Sequence, residues 1–180
     1  NFYLVGGTAL ALRYGHRISV DLDFFTDKEF DTSSLIDTLK EKFTIRVLSQ
    51  AKNSLTLDLR SVKTDFIRHN YPLLNPVAKT DEIKMASVED IAAMKLNSTV
   101  NRGSKKDFYD IYELLNHFTL QELISFYTSK YDFSSQLIVL KSLVYFDDAE
   151  LEPDPVSVKP ISWNSVKQKI SEAVGLLTRS

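Results

Sequence analysis

Leu4-Val5-Gly6-Gly7-Thr8, followed further along by Asp21-Leu22-Asp23-Phe24, is the stretch that decides the fold. An apolar run enters a glycine pair and a hydroxyl residue. Thr8 to Tyr14 is rich in helix formers, and Gly15 closes that helix as a C-terminal cap. His16 to Val20 then leads into a second strand, Asp21 to Phe25. The glycines let backbone N–H groups approach phosphate oxygens, and the helix N-terminus adds its positive end. Asp21 and Asp23 stand two apart, so on a strand they project to one side and can hold one or two divalent metals. Gly6, Gly7 and Thr8 thus read as a phosphate-binding turn beside a metal-binding carboxylate pair, as a nucleotide-handling enzyme needs.

Outward from there, Asp31-Thr32-Ser33-Ser34 offers N-cap chemistry for a helix over 35–43, with Leu35, Ile36, Leu39 and Phe43 at helical spacing. Thr44 to Leu48, Leu55 to Leu59 and Ser61 to Ile67 read as strands, with Lys52-Asn53 turning between the first two. Pro72 and Pro76 interrupt the pattern, and the second half reads almost wholly helical. Ser87-Val88-Glu89-Asp90 has capping-box spacing and starts a helix over 91–100. Arg102-Gly103-Ser104 breaks it, and Lys106 to Phe118 is the next helix. Thr119-Leu120-Gln121-Glu122 is a second capping box, opening a helix to about Tyr127. Helices over 135–146 and 166–177 follow, separated by a proline-punctuated stretch over 152–160. The expectation is an α+β chain: a small mixed sheet of about four to five strands flanked by helices in residues 1–85, then a helical lobe in 86–180.

At 180 residues, with 43% apolar and 26% charged side chains, the chain can bury a sizeable core as an ordinary globular protein. A net charge of −2 excludes nucleic-acid binding through bulk charge and requires a local patch instead. The absence of cysteine removes disulfides, thiolate zinc sites and cysteine nucleophiles together. No apolar run approaches a membrane span and no secretory signal is visible, so a cytoplasmic address is the default. The sequence starts without Met, inside an apolar strand, which suggests that a further N-terminal segment precedes it.

The chemistry that these carboxylates suit is nucleotidyl transfer, in which a hydroxyl attacks the α-phosphate of a nucleoside triphosphate and expels pyrophosphate. Two magnesium ions about 3.5–4 Å apart can steady the attacking and leaving oxygens. Asp21 and Asp23 would bridge them, and a third carboxylate would bind the metal nearer the nucleophile. Asp65, beside Phe66 and Ile67, is the candidate for that third ligand, with Asp58 as its competitor. Lys95 interrupts an apolar helix, and Arg102 lies seven positions on, on nearly the same face. This cationic pair suits the β- and γ-phosphates. Asp107 and Asp110 share a face of the next helix and can hold Lys95 and Arg102 in place. Arg17 is a further triphosphate contact, and His16 reads as a hydrogen-bonded structural group. The aromatics Phe108, Tyr109, Tyr112, Phe118, Phe126, Tyr127, Tyr131, Phe133, Tyr145 and Phe146 read mostly as core. The acidic run over 147–150 reads as a solvated linker.

Together, Gly6-Gly7-Thr8-Ala9-Leu10-Ala11-Leu12, His16-Arg17-x-Ser19-x-Asp21-Leu22-Asp23-Phe24, Asp90-x-x-x-x-Lys95, Arg102 and Lys106-Asp107-x-x-Asp110 resemble the AbiEii/AbiGii-type nucleotidyltransferase toxins. These belong to the DNA-polymerase-β-like nucleotidyltransferase superfamily, and the resemblance spans roughly 4–115. It implies a nucleotidyltransferase fold and a magnesium-dependent enzyme using a nucleoside triphosphate. It also implies a role in a toxin–antitoxin or phage-defence module, an RNA acceptor (tRNA foremost) and a possible cognate antitoxin. By position, Asp21 and Asp23 match the metal pair, Lys95 a lysine facing the triphosphate, and Asp107 a later essential acid. Thr8 replaces the more usual serine and keeps its hydroxyl. A protein or small-molecule hydroxyl as acceptor, or a non-catalytic nucleotide- or partner-binding module, are the alternatives.

Overall fold

Residues 2–80, 82–131 and 135–179 are described by the structure, a computed structural model. Asn1, at the start of the opening stretch, and Phe133 among the predicted core aromatics lie outside them. The chain runs β1 (Tyr3–Val5), α1 (Gly6–Tyr14), β2 (Leu22–Thr26), α2 (Thr32–Lys40), β3 (Ile45–Ala51), β4 (Ser54–Leu59), β5 (Val62–Arg68), β6 (Ala78–Thr80) and β7 (Ile83–Met85). Helices follow: α3 (Val88–Asn101), α4 (Lys105–Leu114), α5 (Leu120–Lys130), α6 (Gln136–Leu143), α7 (Asp147–Glu150) and α8 (Trp163–Arg179).

Among the described residues seven strands form one mixed sheet, in the order β3-β4-β5-β2-β1-β7-β6, rather than the four to five expected. The additional pair, β6 and β7, has three residues in each strand, too short to display an alternation, and it turns through Glu82 at φ 71°. β7 then pairs parallel to β1 through Leu4 and Met85.

Side-chain alternation divides the sheet into a packed and a polar face. Leu55, Leu57 and Phe66 point to one side and pack with Ile36 of α2, with Phe24 against them. Their sequence neighbours Thr56 and Asp65 must then point the other way. β2 and β5 run parallel with Asp23 opposite Asp65, and Thr56 pairs with Asp65 across β4–β5. One row across three strands therefore carries Thr56, Asp65 and Asp23 on the same face.

The larger core joins β1 and α1 to the helical half, with Leu4, Leu10, Ile91, Leu96, Phe108, Ile111, Leu114, Leu123 and Leu143 almost fully buried. Helix starts follow local chemistry. Asp31 accepts from the Ser34 N–H at 2.7 Å, and Thr119 and Glu122 form a complete capping box. The Ser87 box is only half made: Ser87 Oγ accepts from the Asp90 N–H, but the Asp90 carboxylate turns elsewhere. It accepts from the Leu74 and Asn75 N–H groups, from Ser87 Oγ and from Lys130 Nζ at 2.7 Å. Lys130 also donates to the Pro72 carbonyl at 2.7 Å. This fully buried pair ties the loop after β5 to the start of α3.

Several boundaries differ from expectation. α1 begins at Gly6 rather than Thr8, β2 begins at Leu22, so Asp21 precedes it, and α4 ends at Leu114 rather than Phe118. Tyr145 is exposed, not core. Residues 147–150 are a helical turn rather than a linker, because Glu150 accepts from Trp163 Nε1 at 2.7 Å and from Lys167.

Candidate active site

The glycine pair is where the backbone meets the site's charges. Gly6 has φ 71°, a left-handed conformation that favours glycine, and a Cβ there would overlap the Asp23 carboxylate. A Cβ at Gly7 would overlap the Arg17 guanidinium. Each glycine therefore makes room for one charged side chain, and α1 starts between an anion and a cation. No side chain caps that helix, so the N–H groups of its first turn have no side-chain partner from the N-cap.

Asp23 is half-buried, and among the described residues no group donates a hydrogen bond to its carboxylate. Burial pushes its pKa up, Lys95 opposes that, and the Asp65 and Asp21 carboxylates add to it. Asp65, its neighbour in register, accepts from Thr56 Oγ1 at 2.6 Å and pairs with Lys63 Nζ at 2.8 Å. Asp58 stands elsewhere, held by Arg46 Nη2 at 3.0 Å and the Ser61 N–H at 2.8 Å. Asp21, just before β2, is more exposed, with Lys106 Nζ 4.0 Å away. No group of three or more carboxylate or imidazole residues forms a ready metal cluster among the described residues. Asp23 and Asp65 are brought together, and Asp21 stands apart from them.

Thr8 contributes differently from its sequence reading. Its hydroxyl donates to the Asp21 carbonyl and lies 2.9 Å from Ser19 Oγ. It therefore braces the turn before β2, and a phosphate contact from it requires that bond to be exchanged.

Behind the carboxylates lies a buried ion network joining α1's exit to α3 and α4. Asp110, with no exposed surface, accepts from Arg17 Nε at 2.7 Å and Nη2 at 2.9 Å, and its Oδ2 is 2.6 Å from Lys95 Nζ. His16 Nε2 stands 2.7 Å from its other oxygen, while His16 Nδ1 is buried without a hydrogen-bond partner among the described residues. Asp107, equally buried, takes Lys95 Nζ at 3.1 Å, Arg102 Nε at 2.8 Å and Ser104 Oγ at 2.8 Å. Burial opposes ionisation of both carboxyls. Lys95, Arg17 and His16 outweigh it at Asp110, and Lys95, Arg102 and Ser104 outweigh it at Asp107, so both are held below the usual carboxylate range. Burial likewise opposes the Lys95 charge, and Asp110 and Asp107 overcome it, raising its pKa.

Lys95 is thus nearly buried and held from behind, whereas the Arg102 and Lys106 side chains are about half exposed at 55% and 48%. Two cavities meet here. One of about 630 Å³ is lined by Gly7, Arg17, Asp21, Asp23, Lys95 and Arg102, among others. A second of about 240 Å³ reaches Gly6, Asp23, Asp65, Lys95 and Arg102. Lys63 and Ser104 are site residues that the sequence reading did not single out, and Lys106 and Ser19 entered it only as motif positions without a role. The signal available was positional: Lys63 is two before Asp65 on one strand, and Lys106 adjoins Asp107.

The comparisons with known proteins bear on the family and the fold. The family profile described as "Nucleotidyl transferase AbiEii toxin, Type IV TA system" matches residues 1–61 and 42–176. An uncharacterized protein of Aquifex aeolicus is 44% identical over 161 residues, covering 84% of this chain and 77% of the relative. Among solved structures, a putative nucleotidyltransferase from H. pylori superposes with a TM-score of 0.62 at 17% identity, over 99% of this chain and 86% of that one. MenT4, a nucleotidyltransferase toxin from Mycobacterium tuberculosis, gives a TM-score of 0.65 at 14% identity, over 100% and 76%. These structures share the fold. On the strength of the profile match, which runs through both the carboxylate strands and the helices behind them, the chain belongs to the AbiEii family of nucleotidyltransferase toxins.

Proposed function

We propose that this nucleotidyltransferase transfers a nucleotide from a nucleoside triphosphate to a hydroxyl at the end of an RNA, tRNA foremost, with magnesium as cofactor. The observation that carries the metal reading is the pairing of Asp23 with Asp65 on adjacent parallel strands, the Asp23 carboxylate having no donor among the described residues. Magnesium is held by one or two carboxylates plus substrate phosphates rather than by an all-protein cage, so these residues fit it without a three-carboxylate cluster. Asp23 and Asp65 would hold the ion, with Asp21 reaching it from the preceding turn. When bound, the metal supplies charge stabilisation at the attacking and leaving oxygens.

The chain's own residues do the rest. The uncapped N–H groups at Gly6 and Gly7 and the positive end of α1 receive phosphate oxygens. Arg102 and Lys106 reach the β- and γ-phosphates, while Lys95 and Arg17 lend positive charge from the cavity wall. Asp107 and Asp110 fix those cations and touch no substrate. Asp65 takes the proton of the attacking hydroxyl as the new P–O bond forms and pyrophosphate leaves with the old bonding pair. In this reading, residues 1–85 supply the metal-binding carboxylates and Arg17, and 86–180 the other cations.

No helix among the described residues is long and apolar enough to cross a membrane, and a cytoplasmic enzyme with a cognate antitoxin fits the proposed role. The test is labelling: each α-labelled triphosphate, with magnesium, against total RNA and protein. Label on tRNA that is lost in Asp23→Asn is the expected result. Label on protein or a small molecule would move the acceptor, and no label with any triphosphate would refute the proposal.

A further inference from the structure

Lys63 stands two residues before Asp65 on β5, so both side chains share the open face of the sheet. Its ammonium lies 2.8 Å from Asp65 Oδ2, while Thr56 occupies Oδ1. The Asp65 contact is the largest influence on Lys63, and its pKa is raised, with Asp21 and Asp23 adding further pull. Yet the Lys63 side chain is 54% exposed, on a long stem that can swing into solvent. Lys95, also close to Asp23, has no such freedom, because Asp107 and Asp110 both hold it, and Arg102 is tied to Asp107.

We propose that Lys63 is an internal stand-in for the metal: it neutralises Asp65 when no ion is bound and must be displaced for one to bind. This rests on the metal site proposed above. Asp21 and Asp23 line one of the two cavities and Asp23 and Asp65 the other, and Lys63 sets a cation against the Asp65 end of this row, which relieves part of the like-charge repulsion in the ion-free site. The stand-in also sets a threshold. An incoming divalent ion competes with an ammonium already in place, and a triphosphate bringing its own magnesium competes better than the free ion. Lys63 therefore favours loading of metal and nucleotide together.

Removing the competitor should tighten binding of the free ion. The exchanged interaction is a half-exposed ion pair, so Lys63→Met is expected to lower the Mn²⁺ dissociation constant by roughly fivefold. The experiment titrates Mn²⁺ alone, without nucleotide, into the wild type, Lys63→Met, Lys63→Arg and Asp23→Asn at one ionic strength, by calorimetry and electron paramagnetic resonance. Lys63→Arg keeps a cation beside Asp65 and should retain wild-type affinity or bind more weakly. Unchanged or weaker Mn²⁺ binding in Lys63→Met overturns the stand-in. If Asp23→Asn binds Mn²⁺ as the wild type does, or if the wild type binds none, the metal site itself is misplaced and the reading beneath this inference falls with it.

Discussion

Replacing Asp110 with asparagine removes one negative charge from the centre of the buried network while keeping the side chain's shape. Three groups lose their counter-charge or acceptor: Lys95 Nζ at 2.6 Å, Arg17 at 2.7 and 2.9 Å, and His16 at 2.7 Å. Leaving one member of a buried pair uncompensated costs about 3–5 kcal/mol. Asp107, 3.1 Å from Lys95, retains part of the balance, so the lower end applies, about 3 kcal/mol. For a chain of this size that corresponds to a melting temperature lower by roughly 6–12 °C.

The pH dependence follows from the signs. Lys95 is raised in the folded protein, so its contribution is complete below the ordinary lysine range and is lost as pH rises through its folded value. In Asp110→Asn the burial of Lys95 is less opposed, and its neutral form becomes accessible at lower pH. The penalty should therefore be largest near neutrality and shrink toward pH 10. Thermal melts of both proteins at pH 7 and pH 10 measure this directly. A variant melting within about 2 °C of wild type at pH 7, or a penalty that grows at pH 10, would refute the network's role.

Asp23→Asn should raise the melting temperature of the metal-free protein while abolishing transfer. The pKa of Asp23 is raised, so its charged form costs stability as pH rises through the folded value; melts should differ at pH 7 and converge near pH 4. Gly6→Ala forces a left-handed alanine, at about 1–2 kcal/mol, and displaces the Asp23 carboxylate. Gly15→Ala, at φ 61° with open space around it, should show the strain in a denaturant titration and keep activity. Lys130→Met strands the Asp90 carboxylate and should cost about 3–5 kcal/mol by chemical denaturation. Triphosphate affinity of the folded fraction should be unchanged, since neither residue lines the cavities described.

How much of this could be read beforehand varies with the range of the interaction. The strand–glycine–helix opening, the Gly15 cap and the Thr119 capping box are local, and local chemistry suffices for them. The choice between Asp65 and Asp58 is not local. It depends on β5 lying parallel to β2 with Asp23 opposite Asp65, a pairing that no stretch of sequence encodes by itself. The glycine pair was legible as a place of close approach, but not as room for the protein's own charges. The partner of Gly7 is Arg17, whose position is in turn set by Asp110. Likewise Lys63 carries no motif of its own, and only the register reveals the carboxylate row beside it. β6 and β7 escaped because three-residue strands carry no period.

The contact from His16 and Arg17 to Asp110 spans 94 and 93 residues. On the ribosome, the glycine turn and the paired strands are synthesised long before the helix that steadies their cations. A nascent or truncated chain ending short of α4 lacks the counter-charge for Arg17 and has neither Asp107 nor Asp110 to secure Lys95. The order of synthesis thus couples the cations of the site to a helix made after them, and the phosphate-binding end of the cavity is secured only once α4 has joined the fold.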